Sequence, residues 1–200
     1  IVDCGVNHTF EEPSSIINMK VAYGAKNFLT QKAMTEKQMN KAMANGRVLI
    51  QTLLKSGSNV VLFGEMGIGN TTSASALTAS LLHLDPCVCT SRGAGLFDWQ
   101  LTHKIEVIRK AIEYHKVLDS PLEVLYTFGG YEIATMVGSM LEASKNDMVI
   151  IIDGFVTAAA LLVASLLDSS VPSHVIASHT GKEKGHQLIL KALNLKSILS

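Results

Sequence analysis

The sequence predicts an α/β fold, a doubly wound and mostly parallel sheet with flanking helices and a partial helical lobe. The first observation is a set of short apolar runs without polar interruption, which is typical of strands covered on both faces. The second is that helix-spaced segments lie between these runs, as the crossovers of a parallel sheet require. The apolar runs are 59–63, 124–128, 148–152 and 174–177.

The helices follow from apolar positions that recur at helical spacing. They are predicted at 35–56, 71–84, 101–115, 131–144, 155–167 and 183–193. Residues 8–56 look wholly helical and have the character of a separate lobe, while 57–200 form the sheet core. Because the chain contains no internal repeat and no low-complexity linker, we expect a single domain over 1–200.

The composition excludes several classes of function. Of 200 residues, 48% are hydrophobic, and 17 basic residues balance 17 acidic ones, so no global charge favours nucleic acid or an anionic membrane. Cys4, Cys87 and Cys89 form no paired motif, which argues against a disulfide scaffold or a zinc knuckle and favours a reducing cytoplasm. The apolar stretch 148–167 contains Asp153, which predicts a strand and a helix rather than a membrane span.

Four loops at the predicted strand ends carry glycines, hydroxyls and isolated charges. They are 64–72, 129–132, 153–155 and 178–181. Ligands of open α/β sheets bind at the carboxyl ends of the strands, so Gly129, Gly130, Asp153 and Ser178 are candidate ligand-binding residues. Ordinary turns and helix caps use the same residue types, and this alternative stays open for each loop taken alone.

The loop that follows the first apolar run decides the class of ligand. It reads Gly64-Glu65-Met66-Gly67-Ile68-Gly69-Asn70-Thr71-Thr72. Asn70 stands where a triphosphatase needs lysine, and Thr72 stands where the dinucleotide fingerprint has its third glycine. What remains is a glycine turn that leads into a helix capped by Asn70 or Thr71, whose bare amides suit the phosphate of a monophosphate ester. The candidate phosphate-binding residues are Gly67, Gly69, Asn70 and Thr71.

Three charged residues are candidates for chemistry or binding, each with an ordinary alternative. Glu65 lies near a helix N-terminus, whose dipole holds a carboxylate ionised; it accepts a proton or faces developing positive charge, or it is a solvated loop residue. Lys104 adds positive charge near the phosphate, or it is a surface residue of its helix. Asp153 is a helix cap or a ligand for sugar hydroxyls. The histidines lack metal-ligand spacing, so no metal site is expected.

Five motifs then occur in order along the chain. They are Gly64–Ala74, Lys104–Ile108, Gly129–Ala134, Asp153–Phe155 and Ala177–His179. Together they resemble the signature of the nicotinate-nucleotide:dimethylbenzimidazole phosphoribosyltransferase family of cobalamin lower-ligand assembly, over nearly the whole chain. The resemblance implies a doubly wound α/β domain beside a smaller helical lobe and a homodimer. It also implies transfer of ribose 5-phosphate from nicotinate mononucleotide to an aromatic base, 5,6-dimethylbenzimidazole, with inversion.

The same resemblance implies roles for the matching residues. Glu65 lies at the reacting centre and is the candidate catalytic residue, Met66 and Gly67 line the base and phosphate positions, and Lys104 is placed toward the phosphate of the product. The candidate base- and ribose-binding residues are Met66, Gly129, Gly130, Asp153 and Ser178. The implied partners are a small-molecule nucleotide and an aromatic base, and no cofactor is expected.

The chain also departs from the family pattern. Family members carry a C-terminal Gly-Glu-Gly segment with their principal catalytic Glu, and an N-terminal portion that helps hold the base; we expect the chain from Ile1 to Ser200 to lack both, as a fragment or a processed form. Phe97 interrupts an acidic pair, Thr127 replaces an acidic residue, and 181–184 differs from the usual Ser-Ala-Glu-Pro. The alternative function is therefore a non-catalytic homologue or subunit that binds a ribose phosphate or nicotinate nucleotide.

Overall fold

The computed structural model describes residues 1–11, 15–93, 97–116, 118 and 120–199. The helices are α1 (Glu36–Lys55), α2 (Asn70–Leu81), α3 (Pro86–Cys89), α4 (Asp98–His115), α5 (Pro121–Phe128), α6 (Tyr131–Lys145), α7 (Phe155–Leu167) and α8 (Lys184–Ala192). The strands are β1 (Val2–Asp3), β2 (Ile17–Asn18), β3 (Val60–Phe63), β4 (Val149–Ile152), β5 (Val175–His179) and β6 (Ser197–Leu199). The predicted α/β class is confirmed.

The main sheet contains four parallel strands in the order β3-β4-β5-β6. Three of the four predicted strands are therefore present, with Phe63 of β3 opposite Ile152 of β4. The expectation that β3 is covered on both faces is wrong. Val61 and Phe63 are buried, whereas Val60 is 46% and Leu62 is 64% exposed, so alternate side chains of β3 face the solvent. β1 and β2 form a separate parallel pair.

The strand predicted at 124–128 is wrong, because this segment lies in helix α5. Ser120 caps the helix by accepting a hydrogen bond from the backbone N–H of Glu123 at 3.1 Å. Pro121 occupies the first helical position, where its missing N–H costs nothing and its fixed φ favours the helix. A five-residue apolar run is ambiguous between a buried strand and a buried helix, and here the cap decides it. Gly129 and Gly130 consequently join two helices and do not follow a strand.

The prediction that residues 8–56 are wholly helical is also wrong. The helix begins only at Glu36, where Thr35 and Gln38 form a reciprocal capping box, which fixes a helix start. The described residues before it form loops and the short strand β2. The end of this stretch is bonded to helix α5, since the backbone N–H of Ala33 donates to the carbonyl of Thr127 at 2.9 Å.

Helix α1 packs closely along α6. A Cβ built on Gly46 of α1 would lie 2.1 Å from the carbonyl oxygen of Thr135, and one built on Gly138 of α6 would lie 2.1 Å from that of Met43. Such distances leave no room for any side chain, so the two glycines set the spacing of the helices. This contact fixes the first turn of α6, which carries part of the candidate site.

The apolar stretch 148–167 divides at Asp153 as predicted. β4 ends at Ile152 and α7 begins at Phe155, and the residues of α7 from Phe155 to Ser165 are all buried. None of the helices in the described ranges is both long and apolar enough to cross a bilayer. The stretch is therefore the centre of the core, with β4 between β3 and β5 and α7 packed against α2, α6 and α8.

Candidate active site

The glycine loop connects β3 to α2 at the carboxyl edge of the sheet. Gly69 is the N-cap of α2 and has φ +83°, a left-handed conformation that glycine adopts without strain. The prediction that Asn70 or Thr71 caps the helix is wrong, since both lie within its first turn and no side chain caps it. Their side chains are thereby left for other partners. The first backbone N–H groups of an α-helix lack intrahelical partners, and this end of α2 suits an anion.

Lys104 reaches the first turn of α2 from helix α4. Its Nζ donates to Thr71 Oγ1 at 2.9 Å and to the carbonyl of Ser91 at 3.4 Å, and the residue is only 8% exposed. Burial lowers the pKa of Lys104, and the charge of Glu183 partly offsets this. The structure therefore brings Thr71 and Lys104 together, and it places Lys104 in the interior, not on the surface of its helix.

Glu65 is half-buried in the glycine loop and is hydrogen-bonded by the side-chain amide of Asn70. Burial raises its pKa, although the hydrogen bond from Asn70 lowers it in part. The dipole of α2 is expected to hold this carboxylate ionised, and desolvation of the charged form, the largest effect on its pKa, acts in the opposite direction. A carboxylate with a raised pKa is a better proton acceptor. Glu65 is thus no ordinary solvated loop residue.

Glu132, in the first turn of α6, is the residue that sequence reasoning missed. Burial raises its pKa, backbone and Asn70 hydrogen bonds lower it, and the charge of Glu65 raises it further. Gly130 makes room for this carboxylate, since a Cβ there would lie 2.4 Å from Glu132 Oε2. An acidic residue in a first helical turn is common, so only the pair of preceding glycines signalled anything unusual.

A cavity of about 610 Å³ opens beside the two carboxylates. Its lining is mainly apolar, with the hydroxyls of Thr135 and Ser139 and the thiol of Cys4. Glu65, Met66 and Glu132 all line it, and Met66 is 96% exposed. A large apolar cavity with a few converging polar groups is typical of a small-molecule site.

The predicted glycines have different surroundings. A Cβ on Gly67 would lie 2.2 Å from Asn70 Nδ2, so this glycine gives the amide its place beside Glu65. A Cβ on Gly129 would lie 2.5 Å from the carbonyl oxygen of Leu125, so Gly129 permits the close turn between α5 and α6. Gly67 and Gly130 therefore serve the Glu65–Asn70–Glu132 group directly, and Gly129 serves the backbone turn beside it.

Asp153 and Ser178 form a separate polar cluster with His179. His179 Nδ1 lies 3.5 Å from Asp153 Oδ1 and 3.0 Å from Ser178 Oγ. These residues follow or end β4 and β5 and do not line the 610 Å³ cavity. The structure thus brings Asp153 and Ser178 together, but not with Glu65. Across the described ranges, no three His, Cys, Asp or Glu side chains are placed to hold a metal ion.

Comparison with known proteins identifies the family. A family model described as a phosphoribosyltransferase (DBI_PRT) matches residues 1–200. The chain belongs to this phosphoribosyltransferase family. It is 41% identical over 200 residues to the nicotinate-nucleotide–dimethylbenzimidazole phosphoribosyltransferase of Variovorax paradoxus, covering 100% of this chain and 56% of that protein. The enzyme of the same name from Cupriavidus necator is 40% identical over 200 residues, with 100% and 58% covered.

Solved structures of the family agree with this fold. The crystal structure of CobT from Thermus thermophilus matches with a TM-score of 0.94 and 32% identity, covering 99% of this chain and 60% of that one. The resemblance and the fold predicted from the sequence are confirmed. The chain spans less than two thirds of the length of these phosphoribosyltransferases.

Proposed function

We propose that the protein transfers ribose 5-phosphate from nicotinate mononucleotide to 5,6-dimethylbenzimidazole, giving α-ribazole 5′-phosphate and nicotinate. One observation carries the proposal: the ammonium group of Lys104 lies 2.9 Å from Thr71 Oγ1 in the first turn of α2. A cation and unpaired helix N–H groups at one point favour a phosphate. The names of the related enzymes support the choice of nucleotide and base.

The electrostatics of Lys104 favour binding of an anion. Among the described residues, the acceptors of its hydrogen bonds are a hydroxyl and a carbonyl. The charge of Glu183 offsets only part of the effect of burying the ammonium group. A phosphate that enters here adds negative charge beside the ammonium group and accepts a charge-assisted hydrogen bond from it. Gly67, Gly69, Asn70 and Thr71 are the proposed loop residues around that phosphate.

Glu65 is the proposed catalytic residue. Loss of nicotinate leaves positive charge at C1′ of the ribose, which a nearby carboxylate stabilises. Attack by an imidazole nitrogen from the opposite face inverts C1′, and the N–H proton of the benzimidazole then requires an acceptor. The raised pKa of Glu65 suits that acceptor. The largely apolar cavity beside Glu65 suits a flat aromatic base.

The remaining candidate residues are proposed to hold the base and the ribose. Met66 lines the cavity, which supports contact with the base. Gly129 and Gly130 form the buried turn that precedes Glu132, which also lines the cavity. Asp153 and Ser178 stand at the carboxyl ends of β4 and β5, at the same sheet edge as the glycine loop. Carboxylate and hydroxyl groups there are suited to hydrogen bonds with ribose hydroxyls.

Incubation with nicotinate mononucleotide and dimethylbenzimidazole tests the function. We expect nicotinate and α-ribazole 5′-phosphate to be released together, and chromatography measures both products. Glu65→Gln is expected to abolish turnover while sparing nucleotide affinity. Binding of the nucleotide without turnover would instead identify a non-catalytic nucleotide-binding protein.

We also propose that the protein is a cytoplasmic homodimer, as the resemblance implies. Exposed apolar side chains support a protein interface, among them Phe97 at 69% and Trp99 at 70% exposure. The cysteines Cys4, Cys87 and Cys89 are all free thiols, which supports a reducing compartment. Light scattering coupled to gel filtration is expected to give twice the chain mass, and a monomeric mass would refute the dimer.

A further inference from the structure

Ser91 lies between the candidate phosphate site and the start of helix α8. Its hydroxyl oxygen accepts a hydrogen bond from the backbone N–H of Lys184 at 2.9 Å, across a separation of 93 residues. Its carbonyl oxygen accepts a second hydrogen bond, from Lys104 Nζ at 3.4 Å. Ser91 is thus bonded both to the first residue of α8 and to the cation that is proposed to bind the phosphate.

The start of α8 depends on an acceptor from another part of the chain. The first N–H groups of a helix have no partners within the helix, and the side chain of the N-cap residue commonly accepts one of them. The N-cap residue of α8 is Glu183, and within the described ranges its side chain makes no capping hydrogen bond. The hydroxyl of Ser91 accepts the N–H of Lys184 instead.

The segment 89–93, which carries Ser91, approaches both helices closely. On the side of α8, a Cβ on Gly185 would lie 2.7 Å from the carbonyl oxygen of Cys89, which leaves no room for a side chain. On the side of α2, a Cβ on Gly93 would lie 3.2 Å from Thr71 Oγ1. The segment therefore connects the start of α8 with the first turn of α2.

We propose that Ser91 is a positioning residue, which fixes the start of α8 beside Lys104 and so holds the ammonium group against Thr71. The use of this ammonium group as a phosphate ligand rests on the proposed function above. A lysine carries its ammonium group on a flexible four-carbon stem, and acceptors on two sides restrict the positions that it can take. A phosphate then meets a cation that is already in place, so less side-chain entropy is lost on binding.

The charge of Glu183 provides a way to observe this arrangement. Burial lowers the pKa of Lys104, and the charge of Glu183 raises it in part. Glu183 directly precedes Lys184, so a start of α8 that is no longer bonded to Ser91 would let this carboxylate move away from the ammonium group. Loss of the hydrogen bond between Ser91 and Lys184 should therefore lower the pKa of Lys104 further.

Two variants remove this hydrogen bond from its opposite ends. Ser91→Ala removes the acceptor, and Lys184→Pro removes the donor. Proline suits the position, because Lys184 is the first residue of α8 and Glu183 before it is extended, with ψ 124°. The matched control is Lys184→Ala, which removes the exposed side chain with its charge but keeps the backbone N–H.

The measurement is the titration of Lys104, followed by NMR of the chain labelled with carbon-13 at lysine Cε, with Lys104→Met to assign the signal. We expect Ser91→Ala and Lys184→Pro each to lower the midpoint. The double variant should lower it no further, because both changes remove the same hydrogen bond, and Lys184→Ala should leave it in place. By titration calorimetry, each of the first two variants should raise the Kd for nicotinate mononucleotide about 2- to 10-fold.

The opposite results would overturn the proposal. A Lys104 midpoint that is unchanged in Ser91→Ala and in Lys184→Pro means that Ser91 caps α8 without positioning the ammonium group, and an equal shift in Lys184→Ala assigns the effect to the charge of Lys184. If Ser91→Ala does not fold, Lys184→Pro decides the question. The titration needs no nucleotide, so its failure is distinguishable from failure of the wild type to bind nicotinate mononucleotide, which would contradict the proposed function.

Discussion

The two polar groups at the carboxyl edge of the sheet differ mainly in their exposure to water. Lys104, bonded to Thr71, is 8% exposed, whereas the side chains of His179 and Asp153 are 39% and 61% exposed. A charge that has lost its water gains strongly from a ligand of opposite charge, while a contact between exposed polar side chains is screened and contributes little. If the proposed function holds, we therefore expect the binding energy for the nucleotide to be concentrated at α2 and the β4–β5 end to orient the ligand.

The largest expected effect is that of Lys104→Met on nucleotide affinity. We expect the Kd for nicotinate mononucleotide to rise roughly 10- to 100-fold, because a hydrogen bond to a charged group contributes about 1.5–3 kcal/mol. Titration calorimetry measures it. Lys110→Met removes an exposed lysine of the same helix and is the control. Equal nucleotide affinity of the two variants would show that Lys104 does not bind the phosphate.

The next effect is that of Gly67→Ala on Glu65. The new Cβ would lie 2.2 Å from Asn70 Nδ2 and would push the amide away, with little loss of stability because a side-chain end can move. Since the hydrogen bond from Asn70 lowers the pKa of Glu65, its loss should raise that pKa, as carboxyl NMR would show. Gly64→Ala is the control, because no atom lies within 4 Å of its Cβ. An unmoved Glu65 midpoint in Gly67→Ala would contradict the geometry.

The third prediction concerns stability without ligand. Folding buries the Lys104 ammonium and lowers its pKa below that of an unfolded lysine, so the unfolded chain binds more protons between the two values and stability rises with pH there. In Lys104→Met, the free energy of unfolding should no longer rise with pH in this way. At neutral pH the variant should be as stable as wild type, or more stable by about 1 kcal/mol. Urea unfolding at neutral and alkaline pH measures both, and a large loss of stability would show that Lys104 supports the fold.

The smallest effect is expected at the exposed pair. Asp153→Asn should change the free energy of unfolding by less than about 0.5 kcal/mol, because a polar contact between two side chains with this exposure is weakened by water and salt. Urea unfolding of Asp153→Asn and of Lys104→Met under the same conditions measures the two free-energy changes side by side. A loss well above roughly 1 kcal/mol would mean that the β4–β5 end is a structural centre and would reverse the comparison.

Sequence patterns predict the parts of the fold in which local and tertiary preferences agree. Elements identified in this way include the strand before the glycine loop, the division at Asp153 and the helices after Asn70 and Gly130. The run 124–128 is misassigned because five apolar residues suit either a buried strand or a buried helix, and the Ser120 cap is the signal that separates them. The described residues between 8 and 35 are misassigned because apolar spacing alone does not identify loops that pack by backbone hydrogen bonds, such as the one donated by Ala33.

The candidate site is predictable only in part, for a similar reason. The glycine loop and Lys104 are marked by motifs along the chain. Glu132 is not, because its importance comes from interactions with Asn70 and Glu65, which lie far from it in the sequence. The sign of the Glu65 pKa shift is also beyond the sequence, since the helix dipole is a local effect and burial is a tertiary one.

Strand β3 stands at the end of the sheet with Val60 and Leu62 facing outward. Its outer backbone edge and its apolar face together form a template onto which another strand can add. A solution of this chain at high concentration is therefore expected to self-associate through this edge. A charged substitution such as Val60→Lys should slow that association, because it adds repulsion at the exposed edge while leaving the buried side chains of Val61 and Phe63 untouched.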